Sequence, residues 1–262
     1  MSHLVQFIQE CHQNLLNDST DETDKARIYL KKRHLTLETI KQHNIGYCPR
    51  GQNIPDAIKY YGKKEDDEKT KSGYTYFING RVIVPVYSEF GHAVGFATRK
   101  PTFEAGNTWW NLPKPFKKGQ HLYLLNKARK AMFDKNKVVI VEGYVDALQL
   151  YQAGLHEVVA LMGTKLTPRT IGLIARYCDN ICLCLDADAN MSGQVGMEKA
   201  IYSLKEHDFY DSISVISGLP IGEDPDIYVA KHGIKELLCK EKELTSKEIG
   251  TIWKKIHSQK SH

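Results

Sequence analysis

Apolar runs alternate with helix-length segments in the second half of the chain. The runs that predict β-strands are 137–141, 157–161, 180–185 and 212–217. The segments that predict the helices after the first three strands are 144–153, 168–176 and 193–206. Gly154 marks the end of the first helix, and Thr167-Pro168 supplies an N-cap and a first helical residue for the second. This alternation predicts a parallel sheet covered by helices.

The first half has a different pattern. Two short amphipathic helices are predicted over 24–33 and 37–43, the second with Thr36 as its N-cap. Residues 74–87 and 93–98 predict a β-hairpin, and 122–132 predicts a helix. The polar, mixed-charge segment 62–73 predicts an exposed loop. The predicted fold class is therefore α/β, with an α+β N-terminal part.

The change of pattern divides the chain into 1–130, 131–234 and a charged helical tail over 235–262. The composition is 42% hydrophobic and 26% charged, which is typical of a globular protein. We expect no transmembrane helix and no secretory signal, because no long apolar run is present. Six scattered cysteines lack zinc-site spacing, so we expect no zinc and a reduced, cytoplasmic chain.

Acidic residues follow three of the predicted strands. Glu142 comes directly after the first, and Asp146 stands four residues later, where it can face the same pocket. Asp186 and Asp188 follow the third strand. Asp224 and Asp226 follow the last strand with the same spacing. Ligands of open parallel sheets bind beyond the carboxyl ends of the strands, where all these acids are expected.

Each acid has a purely structural alternative. Glu142 could complement the dipole of the helix that follows it. Asp186 and Asp188 could belong to an Asx turn, and Asp224 before Pro225 could begin a helix. Together, however, three acidic strand ends at one edge would repel one another without cations. Oxygen ligands suit Mg²⁺ or Mn²⁺, so the pattern predicts a metal site for phosphate chemistry.

The motifs resemble those of a known family. Glu142-Gly-Tyr-Val-Asp146, Leu161-Met-Gly-Thr164, Asp186-Ala-Asp188 and Gly222-Glu-Asp-Pro-Asp226 resemble a Toprim domain, most closely that of the bacterial DnaG-type primases. The earlier segments 29–49, 80–85, 94–99 and 116–123 resemble the N-terminal part of the primase core, in the same order. The resemblance spans residues 5 to 235.

The resemblance implies template-directed synthesis of short RNA primers on single-stranded DNA from NTPs, during DNA replication. Glu142, Asp186 and Asp188 would be the principal ligands of two or more Mg²⁺ or Mn²⁺ ions. Asp146, Asp224 and Asp226 would complete the acidic site. The residues that would contact template or nucleotide phosphates are Arg33, Arg81, Arg99 and Lys118. A solvated surface charge is the alternative for each, and for Trp109 and Trp110 loop packing is more usual than base stacking.

The sequence departs from the family pattern in several places. The family's Asp-Gly-Asp is Asp186-Ala187-Asp188 here, and Thr108 stands where a lysine is expected. The zinc-binding module and the helicase-binding domain of the usual primase are not seen, which suits a short, phage-encoded form. A replicative helicase or a separate template-recognition protein would then be a partner. The rival functions are a Toprim-type nuclease or topoisomerase fragment and a non-catalytic nucleic-acid-binding module.

Overall fold

The computed structural model describes residues 2–59, 75–104, 106, 108–112, 116–163, 165–186, 192–209, 212–220 and 222–260. The chain forms two compact units, Met1–Lys117 and Lys118–His262. The sequence pattern placed the first boundary after residue 130 and separated the tail at 235. The structure differs because the helix before 137 and the residues after 234 pack on the sheet of the second unit. The predicted loop 62–73 lies outside the described residues.

The first unit is built on an antiparallel sheet in the order β1-β2-β3-β4. Its strands are β1 (Gly46–Cys48), β2 (Arg81–Tyr87), β3 (Ala93–Arg99) and β4 (Trp110–Leu112). The predicted hairpin is confirmed, because β2 and β3 pair from Val82↔Arg99 to Tyr87↔Ala93. Its first residues differ from the expectation, since Thr75–Phe77 forms a 3₁₀ helix rather than a strand.

The α-helices in the described part of this unit are α1 (His3–Asn17), α2 (Asp21–Lys32), α3 (Leu37–Gln42) and α4 (Asp56–Lys59). The predicted cap is confirmed, because the Thr36 side chain accepts a hydrogen bond from the Thr39 N–H. Helix α1 was not predicted, yet it covers the sheet and buries Phe7 against Phe96 at 5.4 Å between ring centroids. A Cβ at Gly46 would come within 2.5 Å of the α1 backbone, so glycine permits this close packing.

The second unit contains a five-stranded sheet in the order β6-β5-β7-β8-β9. Its strands are β5 (Lys137–Val141), β6 (Val158–Ala160), β7 (Asn180–Leu183), β8 (Ile213–Ile216) and β9 (Glu241–Glu243). The first four are parallel, as predicted, and β9 adds an antiparallel edge. The four parallel strands are almost completely buried, which explains their continuous apolar sequences.

The helices of the second unit are α5 (Leu125–Lys135), α6 (Tyr144–Gln152), α7 (Pro168–Ile174), α8 (Ser192–Lys205), α9 (Pro225–His232), α10 (Ile234–Leu238) and α11 (Ser246–Lys260). Gly154 follows the end of α6 at a φ of 96°, and Thr167 caps α7 before Pro168, as predicted. The tail is ordered around β9, with α11 packed on α8. No helix in the described part of the chain is long and apolar enough to cross a membrane. All six cysteines are free thiols, and five are buried.

An ion pair fixes the edge strand β9 to the sheet. Both carboxylate oxygens of Glu241 accept hydrogen bonds from Lys137 Nζ at 2.6 Å, and one also accepts a bond from Ser214 Oγ at 2.5 Å. Burial favours a raised pKa for Glu241, but the bonds from Lys137 and Ser214 outweigh it and leave the pKa lowered from 4.5.

We expect Glu241→Gln to lower the free energy of unfolding at pH 7 by roughly 1–2 kcal/mol, because the variant loses a charge-assisted pair that is only partly exposed. A lowered carboxyl pKa stabilises the fold above 4.5, and this contribution disappears as the pH falls through the folded-state pKa. Urea unfolding should therefore show the gap between variant and wild type closing under acid conditions. Glu243→Gln, at an exposed position of the same strand, is the control. A gap that stays constant with pH, or an equal loss in the control, would contradict this account.

Candidate active site

Two of the predicted acids meet where adjacent parallel strands end. Strands β5 and β7 are direct neighbours, paired from Lys137↔Asn180 to Ile140↔Leu183. The ladder continues past β7 through the Cys184 N–H, which donates to Ile140 O at 2.8 Å. Glu142 Oε1 then accepts a hydrogen bond from the Asp186 N–H at 3.3 Å. The carboxylate of one strand end thus lies against the backbone of the other.

The end of β6 adds a lysine to this edge. The Gly163 N–H donates to Glu142 O at 3.1 Å, and Lys118 Nζ donates to Gly163 O at 3.3 Å. The chain reverses here through two residues with positive φ, Met162 at 58° and Gly163 at 91°. A left-handed methionine is unusual, and it points to a tightly determined turn. Lys118 and Glu142 therefore both contact the backbone of Gly163, which brings the lysine to the same edge of the sheet as Glu142.

Asp146 lies in the first turn of α6. Its Oδ2 accepts a hydrogen bond from the Gly143 N–H at 3.0 Å, which fixes the carboxylate beside the turn that follows Glu142. A Cβ at position 143 would stand 2.5 Å from that oxygen. A side chain at position 143 would therefore displace the Asp146 carboxylate, although the backbone conformation, with a φ of −107°, would accept one. Asp146 is 7% exposed.

The motif after β8 places its acids on helix α9. Asp224 is the N-cap residue of α9, with Pro225 at the first helical position. Asp226 is buried and accepts a hydrogen bond from the Ile227 N–H at 2.8 Å. Glu223, which precedes Asp224, pairs instead with Lys231 at 2.6 Å. Helix α9 packs on α6, which carries Asp146.

A buried thiol lies beneath these acids. Cys184 is fully buried, and burial is the main cause that raises its pKa well above 9.0. The neighbouring Cys182 and the charges of Asp146 and Asp186 raise it further. Cys184 therefore stays a neutral thiol, close enough to Asp146 and Asp186 to be affected by the charge of each. Cys184 is shielded from solvent, whereas Glu142 and Asp186 are half-buried.

The donor set fits a divalent cation in kind. Glu142, Asp146, Asp186 and Asp226 supply only carboxylate oxygens, the ligands that Mg²⁺ and Mn²⁺ prefer. Within the described ranges, however, no three His, Cys, Asp or Glu side chains come together closely enough to hold a metal ion. Asp188 lies outside those ranges. The assignment of metal ligands stays a prediction.

The predicted phosphate-binding arginines lie in the first unit, at separate places. Arg33 follows the end of α2 and is half-buried. Arg81 begins β2 and is only 4% exposed, and among the described residues its Nε has no hydrogen-bond partner. Arg99 ends β3 with its guanidinium 5.5 Å from the ring of Trp109. Arg99 pairs with Val82, so these two side chains lie on the same face of the sheet. Arg81 is adjacent to Val82 in β2 and therefore points to the opposite face from Arg99.

Two structural contributions to this edge were not predicted from the sequence. Gly163 links Lys118 to Glu142 because Met162 and Gly163 both adopt positive φ values. The only sequence signal for this conformation is a Met-Gly pair after a predicted strand. Cys184 looked like an ordinary strand residue. Asp186 is two residues away in the sequence, but the proximity of Asp146 follows from the tertiary fold.

Two protein families match successive parts of the chain. Residues 11–129 match the family described as the DNA primase catalytic core, N-terminal domain. Residues 139–229 match the family described as Toprim-like. The DNA primase of Lactococcus lactis is 32% identical over 237 residues, which cover 86% of this chain and 36% of that protein. The chain thus spans little more than a third of the length of this relative.

Solved primase structures share the fold. A DNA primase domain from Pseudomonas aeruginosa is 26% identical with a TM-score of 0.76, over 90% of this chain and 76% of that one. A DnaG primase catalytic domain bound to single-stranded DNA has a TM-score of 0.67 over 91% of this chain and 81% of that one; at 24% identity this likeness concerns the fold alone. Nothing in these matches supports a phage origin. The chain belongs to the DnaG-type DNA primases, of which it carries the N-terminal catalytic-core domain followed by a Toprim-like domain.

Proposed function

We propose that this chain is a primase catalytic core, which copies single-stranded DNA into short RNA primers from NTPs. The observation that carries the proposal is the hydrogen bond that joins the Glu142 carboxylate to the backbone of Asp186 at adjacent strand ends. Such an edge gathers negative charge where a phosphate-transferring site needs cations. The family match of residues 11–129 disfavours a nuclease or topoisomerase fragment, because it covers the part that a Toprim domain alone would lack.

The metal ligands in this proposal are Glu142, Asp186 and Asp188, completed by Asp146, Asp224 and Asp226. Bound Mg²⁺ or Mn²⁺ would lower the pKa of the primer 3′-hydroxyl and neutralise the triphosphate. The chain itself holds the carboxylates in place through the Gly143 and Asp186 N–H groups. Lys118, tied to Gly163, supplies a positive charge for a phosphate at the same edge.

The template and nucleotide contacts are assigned to Arg33, Arg81, Arg99 and Lys118. A DnaG catalytic domain of the same fold was solved with single-stranded DNA, which supports this strand as the template here. Arginine and lysine contacts to phosphates give affinity without sequence preference. A replicative helicase or a template-recognition protein remains a proposed partner, and the proposed role in replication implies a cytoplasmic location.

Glu142→Gln and Asp186→Asn should each abolish RNA synthesis on single-stranded DNA, because each removes a charge from the edge but keeps the shape. We expect losses above the roughly 10–100-fold that removal of an outer partner of a metal ligand causes. Labelled-NTP incorporation on a gel gives the activity, and electron paramagnetic resonance of added Mn²⁺ gives metal binding. Both should fall together.

The matched control is Asp134→Asn, which alters an exposed acid of the same unit that pairs with Lys130. It should retain both Mn²⁺ binding and RNA synthesis. Full activity in Glu142→Gln or Asp186→Asn would refute the assignment. Metal-dependent DNA cleavage by the wild type without any RNA product would instead favour the nuclease.

Gly143→Ala tests the placement of Asp146 without touching a carboxylate. The added methyl group would stand 2.5 Å from Asp146 Oδ2, so the carboxylate must leave its hydrogen bond with the 143 N–H. We expect a roughly 10–100-fold loss of Mn²⁺ affinity, as for other outer partners of metal ligands. Gly172→Ala, in open space on α7, is the control and should bind Mn²⁺ like the wild type. Unchanged Mn²⁺ affinity in Gly143→Ala would argue against a metal role for Asp146.

A further inference from the structure

Three aromatic side chains form a continuous surface on the first unit. Tyr76 meets Phe77 edge-on with 5.3 Å between ring centroids, and Phe77 packs on Trp110 at 4.2 Å. We call Tyr76, Phe77 and Trp110 the aromatic surface. Its two outer members are open to solvent, since Tyr76 is 66% exposed and Trp110 43% exposed. Large aromatic side chains are usually buried in a core, and a patch of exposed ones often marks a binding surface.

The aromatic surface is held by rigid backbone. Thr98 lies in the middle of the sheet, pairs with Trp110 in the β3–β4 ladder, and is fully buried. Its hydroxyl donates to Phe77 O at 2.6 Å. The turn that carries Tyr76 is closed by bonds from the N–H groups of Ile78 and Asn79 to Thr75 O. A ligand would therefore find these rings already ordered, which reduces the entropic cost of binding.

A cleft of about 550 Å³ lies beside the aromatic surface, and Tyr76 belongs to both. Its basic lining residues are Lys25, Arg50 and Lys100. Two acids also line it, but Glu22 lies 3.7 Å from Arg50 in an ion pair. Three basic side chains against two acidic ones, Glu22 and Glu104, leave the cleft lining with a net charge of +1 next to exposed rings. Stacking rings beside backbone-neutralising cations are the two elements of single-strand recognition.

Arg81 adds a buried cation behind Tyr76. It shares a sheet face with Thr98 and Trp110, because Ile83, two residues after Arg81, pairs with Thr98. Its charge interacts with Tyr76, and its Nε–H finds no hydrogen-bond acceptor in the part of the chain that the structure describes. Arg99 and Trp109 lie on the other face. The aromatic surface is thus separate from the place where Arg99 acts.

We propose that the aromatic surface stacks on bases of single-stranded DNA while the neighbouring cleft holds the backbone phosphates. Trp110 and Tyr76 contact the bases of the bound strand directly. The proposal rests on the proposed function only for the choice of single-stranded DNA as the strand bound.

The first test separates base stacking from phosphate binding. Fluorescence anisotropy would compare an oligothymidylate of about 12 nucleotides with an abasic strand of the same length. We expect Trp110→Leu to weaken oligothymidylate binding about tenfold and to leave abasic binding unchanged, because leucine keeps the apolar contact with Phe77 but has no ring face. Trp110→Tyr should restore most of the affinity. Trp253→Phe, in helix α11 of the second unit, is the control and should bind both strands like the wild type.

The second test addresses the cleft. Lys25→Gln should weaken both strands equally and reduce the slope of log affinity against log salt by about 0.7, the value for one phosphate contact on a single strand. Equal affinity of Trp110→Leu and wild type for oligothymidylate would overturn the stacking proposal. So would an equal loss on the abasic strand. An unchanged salt slope in Lys25→Gln would overturn the phosphate assignment.

Failure of this proposal differs from failure of the proposed function. Asp186→Asn should bind oligothymidylate normally while making no RNA. If the wild type makes no RNA but Trp110→Leu still loses base-dependent binding, the aromatic surface stands and the primase proposal falls. If RNA is made and Trp110→Leu binds DNA normally, the primase proposal stands and the proposal for the aromatic surface falls.

Discussion

The register of β5 against β7 is the constraint on which the candidate site depends. Glu142 follows β5 at once, whereas Asp186 stands three residues beyond the end of β7, so only the observed pairing brings the two together. Both strands are buried on both faces, and a one-residue slip would turn every side chain of a strand to the opposite face. The packing of the core and the meeting of the two acids are therefore enforced by the same ladder.

This arrangement concentrates negative charge next to Cys184, which is buried from solvent. Burial is the main cause that raises the pKa of the Cys184 thiol, and the charges of Asp146 and Asp186 add to it. The backbone compensates in part through N–H groups that donate to Glu142 and Asp146. Lys118 brings one positive charge to the edge through Gly163. Carboxylates held in this way keep a net negative field, to which a divalent cation is the natural complement.

Local patterns in the sequence were enough to predict most elements of the second unit. Buried parallel strands are apolar throughout, and Thr167-Pro168 and Gly154 mark helix ends by their own chemistry. Strand β9 could not be predicted, because Glu241-Lys-Glu243 carries only charges and becomes a strand through long-range pairing with β8 and the bond to Lys137. The acids were predicted as a set, but the contact between Glu142 and Asp186 depends on a register that no local signal specifies.

The first unit shows why a run of similar residues need not have one role. Arg81 and Arg99 were both predicted to contact template or nucleotide phosphates. The β2–β3 register nevertheless turns them to opposite sides of the sheet. The adjacent Trp109 and Trp110 separate in the same way. Trp109 lies beneath the Arg99 guanidinium, and Trp110 packs on Phe77 on the other face. Trp109, just before β4, and Trp110, its first residue, thus belong to two surfaces with different partners.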